Sequence, residues 1–249
     1  MELRCHESVT DSAPEWGAQP GISRWRANLV EQAWWTHGER LDASRVMRRI
    51  RVSVDDRRHR NPLRNMTILF SDLSSSVDLS AQMDCFAYVG LLHGLRTLFR
   101  STIVRHGGTI ARLQGDGVLA VFGHDHPSDD DGYRAICCAL ELHDAVRAIA
   151  LDAETHRGAA LHSGIYAGLT YLESGDVERG RFDLIGNAPN LAARLSGLAD
   201  RDGIFATEQV IAPHLDDFSV AERQELQIRG WPAPIAAYAV LGHEPQTPS

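Results

Sequence analysis

The stretch ARLQGDGVLAVFG, residues 111–123, contains two apolar runs on either side of Gly115-Asp116-Gly117. An Asp-Gly pair between alternating apolar runs is a strong hairpin signal, because both residues tolerate a positive φ angle. The stretch therefore predicts two paired strands, TIARLQ and VLAVFG, with Asp116 at the tip. A carboxylate can also bind a metal ion at such a position, and the dipeptide alone leaves both roles of Asp116 open.

The segments on both sides of this hairpin predict an α+β domain. The order strand–helix–hairpin–helix–strand is typical of a ferredoxin-like βαββαβ sandwich with helices packed on the sheet, followed here by extra C-terminal strands. The predicted elements are a buried strand at 66–73, a long helix at 80–105 that ends at Gly107-Gly108, a second long helix at 129–151, a strand at 158–172, a strand end in RFDLIG, a helix at 187–199, and short strands in GIFAT, SVAERQELQI and PIAAYAVL.

The first 64 residues differ in composition from the rest of the chain. Residues 1–21 are rich in Ser, Pro, Gly and Glu, which is typical of a disordered segment. Residues 22–60 are rich in Arg and Trp, with a broadly helical spacing of apolar residues. The sequence thus predicts a partly disordered, then helical extension and linker at 1–64, a main domain at 65–242, and a tail at 243–249.

The overall composition argues against several classes of protein. The 249 residues carry a formal net charge of −8, whereas nucleic-acid-binding domains are usually basic, so no nucleic-acid partner is expected. No apolar run approaches the roughly 18–20 residues of a membrane helix, so no membrane span is expected. The N-terminus lacks the pattern of a signal peptide, and the four cysteines form no CxxC motif. These features indicate a reduced, cytoplasmic protein.

A second carboxylate occurs at the end of the first predicted strand. Asp72 follows TILFS and precedes a run of small polar residues. If this strand and the hairpin lie side by side in one sheet, Asp72 and Asp116 come to the same edge. Two carboxylates can hold Mg²⁺ or Mn²⁺ when nucleotide phosphates supply further oxygens, and paired metal ions are a common device for nucleotidyl transfer.

Four blocks of the chain occur in a characteristic order: FSDL at 70–73, HGGTIARLQGDGVLAVFG at 106–123, LHSG at 161–164 and DLIGNAPNLAARL at 183–195. Together they resemble the class III nucleotidyl cyclase catalytic domain, the adenylate and guanylate cyclase family. The resemblance runs from about Met66 to Leu241. It implies the fold of that family, a nucleoside triphosphate substrate, two divalent cations (Mg²⁺ or Mn²⁺), and a homodimer with active sites at the interface.

The resemblance also implies roles for five residues. Asp72 and Asp116 match the two metal-binding aspartates, and Leu73 matches a position whose backbone carbonyl faces a metal. Asn190 and Arg194 match the pair donated by the partner subunit, in which the Asn orients the ribose and the Arg stabilises the transition state. Asp116 is therefore expected to be both the hairpin tip and a metal ligand.

The positions that meet the base and the triphosphate depart from the family pattern. Arg112 stands where adenylate cyclases usually have Lys, and Arg229 stands where the triphosphate-binding Lys is usual, whereas Asp183 matches the base-reading Asp or Thr. The chain contains no lysine, so Arg in these places can follow from composition, or Arg112 can mark a changed base specificity. ATP is the favoured substrate, with a pyrimidine nucleotide as the alternative. GTP is less favoured because the usual Glu and Cys are absent.

The loop after Asp72 departs from the family as well. Family members often have Gly-Phe-Thr or Gly-Ser-Thr where this chain has Ser75-Ser76-Val77. Ser74, Ser75 and Ser76 are expected to contact the triphosphate, in part through hydroxyl groups. Because serine lacks the freedom of glycine at positive φ, a nucleotide-binding signalling module of low activity is a second interpretation.

Overall fold

Nine strands form one sheet in the computed structural model, which describes residues 63–152, 158–173 and 183–244. The strand order is β2-β3-β1-β4-β6-β9-β7, with β5 paired to β4 and β8 paired to β9. The strands are β1 (Leu63–Leu73), β2 (Thr109–Gln114), β3 (Gly117–Phe122), β4 (Leu161–Glu173), β5 (Asp183–Ile185), β6 (Ile204–Thr207), β7 (Phe218–Val220), β8 (Gln224–Leu226) and β9 (Ile235–His243). The helices are α1 (Ser76–Gln82), α2 (Cys85–Arg105), α3 (Asp131–Asp152), α4 (Asn187–Ser196) and α5 (Glu208–Ile211), with a 3₁₀ turn at Ala212–His214.

The first four strands confirm the ferredoxin-like core predicted from the sequence. Their spatial order is β2-β3-β1-β4, and β1 is antiparallel to both β3 and β4. All of β1 pairs with β4, from Leu63 opposite Tyr171 to Leu73 opposite Leu161. The strand β6 is parallel to β4 and antiparallel to β9, so the extra C-terminal strands extend the sheet on the β4 side.

Alternation of side chains along β1 separates two apolar layers. Leu69 belongs to the core formed with α2 and α3, which includes the fully buried Phe99. Ile68, on the opposite face, packs in a second cluster with Ala192 of α4. Because residues two apart in a strand share a face, Asp72 lies on the α4 side of the sheet.

A chain of buried hydrogen bonds crosses the α3 side of the sheet. The His143 ring has Nδ1 3.0 Å from Asp202 Oδ1 and Nε2 2.8 Å from Ser163 Oγ, which in turn lies 2.6 Å from Ser71 Oγ. Since a carboxylate only accepts, His143 donates from Nδ1 and accepts the Ser163 hydroxyl at Nε2. Ser163 is fully buried, so this arrangement ties α3 to β4 and β1 and presents no nucleophile to solvent.

The helix predicted at 80–105 is present as α2 from Cys85 to Arg105, but its predicted start is wrong, because a separate helix α1 precedes it. The helix α1 ends at Gln82, and Asp84 caps the start of α2 in an extended conformation, its side chain accepting the Phe86 N–H at 2.8 Å. The segment SVAERQELQI, predicted to contain short strands, contributes to β7 and β8. The other strands and helices predicted for the described residues are present.

Of the predicted N-terminal extension, 1–64, residues 1–62 lie outside the described residues, whereas Leu63 and Arg64 begin β1; of the predicted tail, 243–249, residues 245–249 lie outside them. All of the described residues belong to one unit of the chain, Arg60–Ser249. Within the described ranges, the helices are too short or too polar to cross a lipid bilayer.

Candidate active site

The end of β1 lies beside the tip of the β2–β3 hairpin. The two hairpin strands pair as far as Gln114 opposite Gly117, so Gly115 and Asp116 are the two turn residues. Gly115 has φ +61°, which suits the first position of a type II′ turn. A Cβ atom added to Gly117 would lie 2.8 Å from Oδ1 of Asp72. The structure thus brings the carboxylates of Asp72 and Asp116 to one edge of the sheet.

The surroundings of these two carboxylates oppose negative charge. Burial raises the pKa of Asp72, and the charge of Asp116 raises it further. The Leu73 N–H donates to Asp72 Oδ1 at 3.0 Å, and His162 lies directly opposite Asp72 on β4; both lower that pKa. Oδ2 of Asp116 is buried and has no hydrogen-bond partner among the described residues. A cation between the carboxylates would relieve both the repulsion and the unpaired oxygen.

The donor set at this edge fits Mg²⁺ or Mn²⁺. Both ions prefer oxygen ligands, and Mg²⁺ commonly binds through one or two carboxylates plus phosphate oxygens of the substrate. Asp72 and Asp116 supply the carboxylates, and the Leu73 carbonyl is the expected backbone ligand. Among the described residues there is no group of three or more His, Cys, Asp or Glu suited to a metal, so a cation here would depend on backbone and substrate oxygens.

The serine loop that follows β1 turns sharply into α1. Ser75 has φ 54° and ψ 38°, the left-handed conformation, although it is not glycine. The Ser74 N–H donates to the Ala160 carbonyl at 2.8 Å, while Ser74 Oγ is buried without a partner among the described residues. Ser76 is the first residue of α1. The loop therefore makes with a serine a bend that glycine adopts more readily, at a conformational cost of about 1 kcal/mol.

The helix α4 presents Asn190 and Arg194 on its exposed side. Leu195 of the same helix is fully buried and packs against the residues around β8 and β9. Nη1 of Arg194 donates to the carbonyl of Arg229, and a Cβ atom at Gly230, where φ is +75°, would lie 3.2 Å from that Nη1. The structure thus brings Arg194 of α4 to Arg229 in the β8–β9 connection, whose strands are separated from β1 by β4 and β6 in the sheet.

The two expected base-reading residues lie on different strands. Arg112 is exposed in β2, opposite Leu119 of β3 and next to a bulge. Asp183 is the first residue of β5, opposite Glu173 of β4. The strands β2 and β5 lie on opposite sides of β1 in the sheet.

Sequence reasoning missed three groups around the carboxylates. Burial raises the pKa of the Tyr88 phenol on α2, and the nearby charges of Asp116 and Asp72 raise it further. Arg96 of α2 donates to the Gly115 carbonyl from Nε at 3.2 Å and from Nη2 at 3.1 Å. His162 lies in the quoted LHSG block, and the β1–β4 register would have placed it opposite Asp72. The two α2 residues had no comparable signal, because their position depends on how the helix packs over the hairpin.

Comparison with known proteins identifies the class of protein. The chain belongs to the family of adenylate and guanylate cyclase catalytic domains, which it matches over residues 59–242. This confirms the resemblance seen in the four sequence blocks. The chain is 24% identical to adenylate cyclase 1 of Rhizobium meliloti over 185 residues, and 28% identical to an adenylate cyclase of Anabaena cylindrica over 153 residues. These matches cover 71% and 59% of this chain, but only 27% and 30% of the two relatives.

Solved structures of cyclases share the fold. The guanylyl cyclase Cya2 superposes with a TM-score of 0.67 at 25% identity, covering 74% of this chain and 95% of that one. The adenylyl cyclase CyaB of P. aeruginosa superposes with a TM-score of 0.68 at 20% identity, covering 75% and 98%. The similar proteins thus include cyclases named for either purine.

Proposed function

We propose that this chain is a nucleotidyl cyclase that converts a nucleoside triphosphate, with ATP favoured, to the 3′,5′-cyclic monophosphate and pyrophosphate. The observation that carries the proposal is the pair of neighbouring carboxylates, Asp72 at the end of β1 and Asp116 in the hairpin turn, in a chain of the cyclase family. Their mutual repulsion and the unpaired oxygen of Asp116 favour a bound divalent cation.

Each residue of the site has a distinct task in this proposal. Asp72, Asp116 and the Leu73 carbonyl hold two divalent cations, which when bound favour the attacking alkoxide and offset triphosphate charge. Asn190 orients the ribose so that its 3′-oxygen faces the α-phosphorus. The Arg194 guanidinium meets the charge that grows on the phosphoryl oxygens, a contribution worth roughly a hundredfold in rate. Arg229 and the serines at 74–76 bind the remaining phosphates.

The proposed active unit is a homodimer with two shared sites. Within one chain, Arg194 donates to the carbonyl of Arg229 in the β8–β9 connection, whose strands are separated from β1 by β4 and β6. A two-fold dimer can bring Arg194 of each subunit to Asp72 and Asp116 of the other, which gives two equivalent sites. Each site then needs residues from both chains.

The proposal leaves two nucleobases for the substrate, adenine and a pyrimidine. Asp183 can accept a hydrogen bond from an exocyclic amine, which adenine and cytosine both carry. Arg112 is longer than Lys and donates in a fixed fork, so this position decides between ATP and a pyrimidine nucleotide. For Arg229, which meets phosphate, Arg and Lys serve alike.

Product analysis by mass spectrometry tests the reaction. The protein is incubated with an equimolar mixture of ATP, GTP, CTP and UTP plus Mn²⁺, and Asp116→Asn is the control. We expect cyclic AMP that is absent with the variant. If another cyclic nucleotide is the main product, the proposed cyclase reaction stands, but the preferred nucleobase is not adenine. Nucleotide binding without any cyclic product would support the low-activity binding module instead.

Complementation tests the shared site. Asp72→Asn and Arg194→Ala are each expected to be inactive alone, since each dimer lacks the same group in both sites. In an equal mixture that exchanges subunits, half of the dimers contain one intact site, so about a quarter of wild-type activity should return. No recovery, with heterodimers demonstrated by differently tagged chains, would contradict the shared site.

A further inference from the structure

The tip of the β2–β3 hairpin is held by one side chain of α2. The guanidinium of Arg96 donates twice to the carbonyl oxygen of Gly115, from Nε at 3.2 Å and from Nη2 at 3.1 Å. Gly115 is the first turn residue, and the next residue is Asp116. The contact therefore acts on the backbone that directly carries one of the two carboxylates.

The hairpin tip is unpacked on the side of Gly115. A Cβ atom added to Gly115 would meet no atom within 4 Å, so the turn is not packed at this point, and glycine is the most flexible residue. The repulsion between the two carboxylates also works against their close approach. The two hydrogen bonds from Arg96 therefore restrain a turn residue that has no packing of its own.

The helix that supplies this bond is rigidly anchored. Leu95, the residue before Arg96, is 1% exposed, and Phe99, three residues after Arg96, is fully buried in the main core. Eight residues before Arg96, Tyr88 is close enough to the same carboxylate pair for their charges to raise the pKa of its phenol. The helix α2 thus lies along the site, and the core fixes its position relative to β1.

We propose that Arg96 is a positioning residue for the cyclase reaction: by fixing the Gly115 carbonyl, it holds Asp116 at the separation from Asp72 at which the pair binds a divalent cation. The inference rests on the proposed function of the carboxylate pair. Arg96 acts through the turn backbone and touches neither substrate nor metal. Loss of groups that orient metal ligands commonly weakens metal binding by roughly tenfold or more.

The test compares Arg96→Ala with a matched control on the same helix. Arg100 is exposed one turn later and has the same charge, so Arg100→Ala controls for loss of a positive charge from α2. Binding of Mn²⁺ is followed by electron paramagnetic resonance, and the Mn²⁺ dependence of turnover is measured with the best nucleotide. For Arg96→Ala we expect the Mn²⁺ dissociation constant and half-saturation to rise roughly tenfold, with kcat at saturating Mn²⁺ within about twofold of wild type. Arg96→Lys keeps a hydrogen-bond donor, so its Mn²⁺ dissociation constant should lie between those of the wild type and Arg96→Ala.

Three results would contradict the positioning role of Arg96, and they distinguish its failure from the failure of the proposed cyclase function. An Arg96→Ala protein with the Mn²⁺ dependence of Arg100→Ala would overturn the positioning role while leaving the cyclase intact. A lower melting temperature and lower kcat without a change in Mn²⁺ half-saturation would show a merely structural role and also overturn it. If the wild type neither makes a cyclic product nor binds Mn²⁺ in a way that Asp116→Asn abolishes, the proposed function itself fails, and the positioning role fails with it.

Discussion

At the scale of single residues, the position of the Asp72 carboxylate lowers the stability of the metal-free fold, and the same position suits the proposed cation site. Its pKa is raised above 3.8 in the folded chain by burial and by Asp116, so the folded state binds a proton more readily than the unfolded state. The resulting destabilisation is present above the folded-state pKa and disappears as the pH falls to the unfolded value. We therefore expect Asp72→Asn to raise the melting temperature of the metal-free protein at pH 7.

Calorimetry in EDTA and in Mn²⁺ checks this expectation. The gain of Asp72→Asn over wild type should shrink as the pH is lowered toward 4, because the wild-type carboxyl group then becomes protonated. Added Mn²⁺ should stabilise the wild type more than the variant. A variant less stable than wild type in EDTA at pH 7 would show that the carboxylate is structurally favourable.

Gly230 is a second position where a single atom matters. Its φ of +75° disfavours any side chain, and a Cβ atom there would lie 3.2 Å from Nη1 of Arg194. We expect Gly230→Ala to cost about 1 kcal/mol of folding free energy and to lower kcat at least about tenfold, since the displaced guanidinium is the proposed transition-state donor. Gly242→Ala is the control, because a Cβ atom there meets nothing within 4 Å. Equal kcat values for the two variants would contradict the placement of Arg194.

At the scale of elements, periodicity predicted the hairpin and the ferredoxin-like order. Alternating apolar residues around Gly115-Asp116 determined β2 and β3, and the strand before Asp72 had a clear apolar run. The break between α1 and α2 was missed because apolar residues continue across it, although Asp84 was an available N-cap signal. The contacts of Tyr88 and Arg96 could not be predicted, because they depend on the packing of a helix over a hairpin that is distant in sequence.

The contact of α3 with the sheet should make stability depend on pH. Burial lowers the pKa of His143 in spite of Asp202, so below the unfolded-state value near 6.5 the unfolded chain binds a proton that the folded chain does not. Stability is therefore lost as the pH falls through this window. In urea unfolding between pH 8 and 5, we expect His143→Gln to lose about 1–3 kcal/mol at pH 8.

The same titration separates the charge of His143 from its packing. The variant should also show a flatter decline of stability with falling pH than the wild type, because glutamine does not titrate. His93 is exposed on α2, so His93→Gln should retain the full wild-type slope. A wild-type slope in His143→Gln would assign the acid sensitivity to other groups.

At the scale of the whole molecule, the strand order places the metal-binding carboxylates and the arginines of the proposed reaction in different parts of the sheet. The carboxylates lie at β1 and the β2–β3 turn, whereas Arg194 contacts Arg229 in the β8–β9 connection, which β4 and β6 separate from β1 in the strand order. The family resemblance supplied this division in advance. Composition and periodicity could not predict this division, because they carry no information about which part of a sheet contacts a second chain.

A shared site makes activity depend on protein concentration. A chain that needs its partner for Arg194 is inactive as a monomer, so activity per chain should fall on dilution in parallel with the dimer fraction measured by analytical ultracentrifugation. Serum albumin in every dilution controls for adsorption to surfaces. The equal mixture of Asp72→Asn and Arg194→Ala should follow the same curve at about a quarter of its height, since both depend on one association equilibrium. Constant activity per chain at dilutions where monomer predominates would mean that one chain closes its own site, and the division of the sheet would then need a conformational change to bridge it.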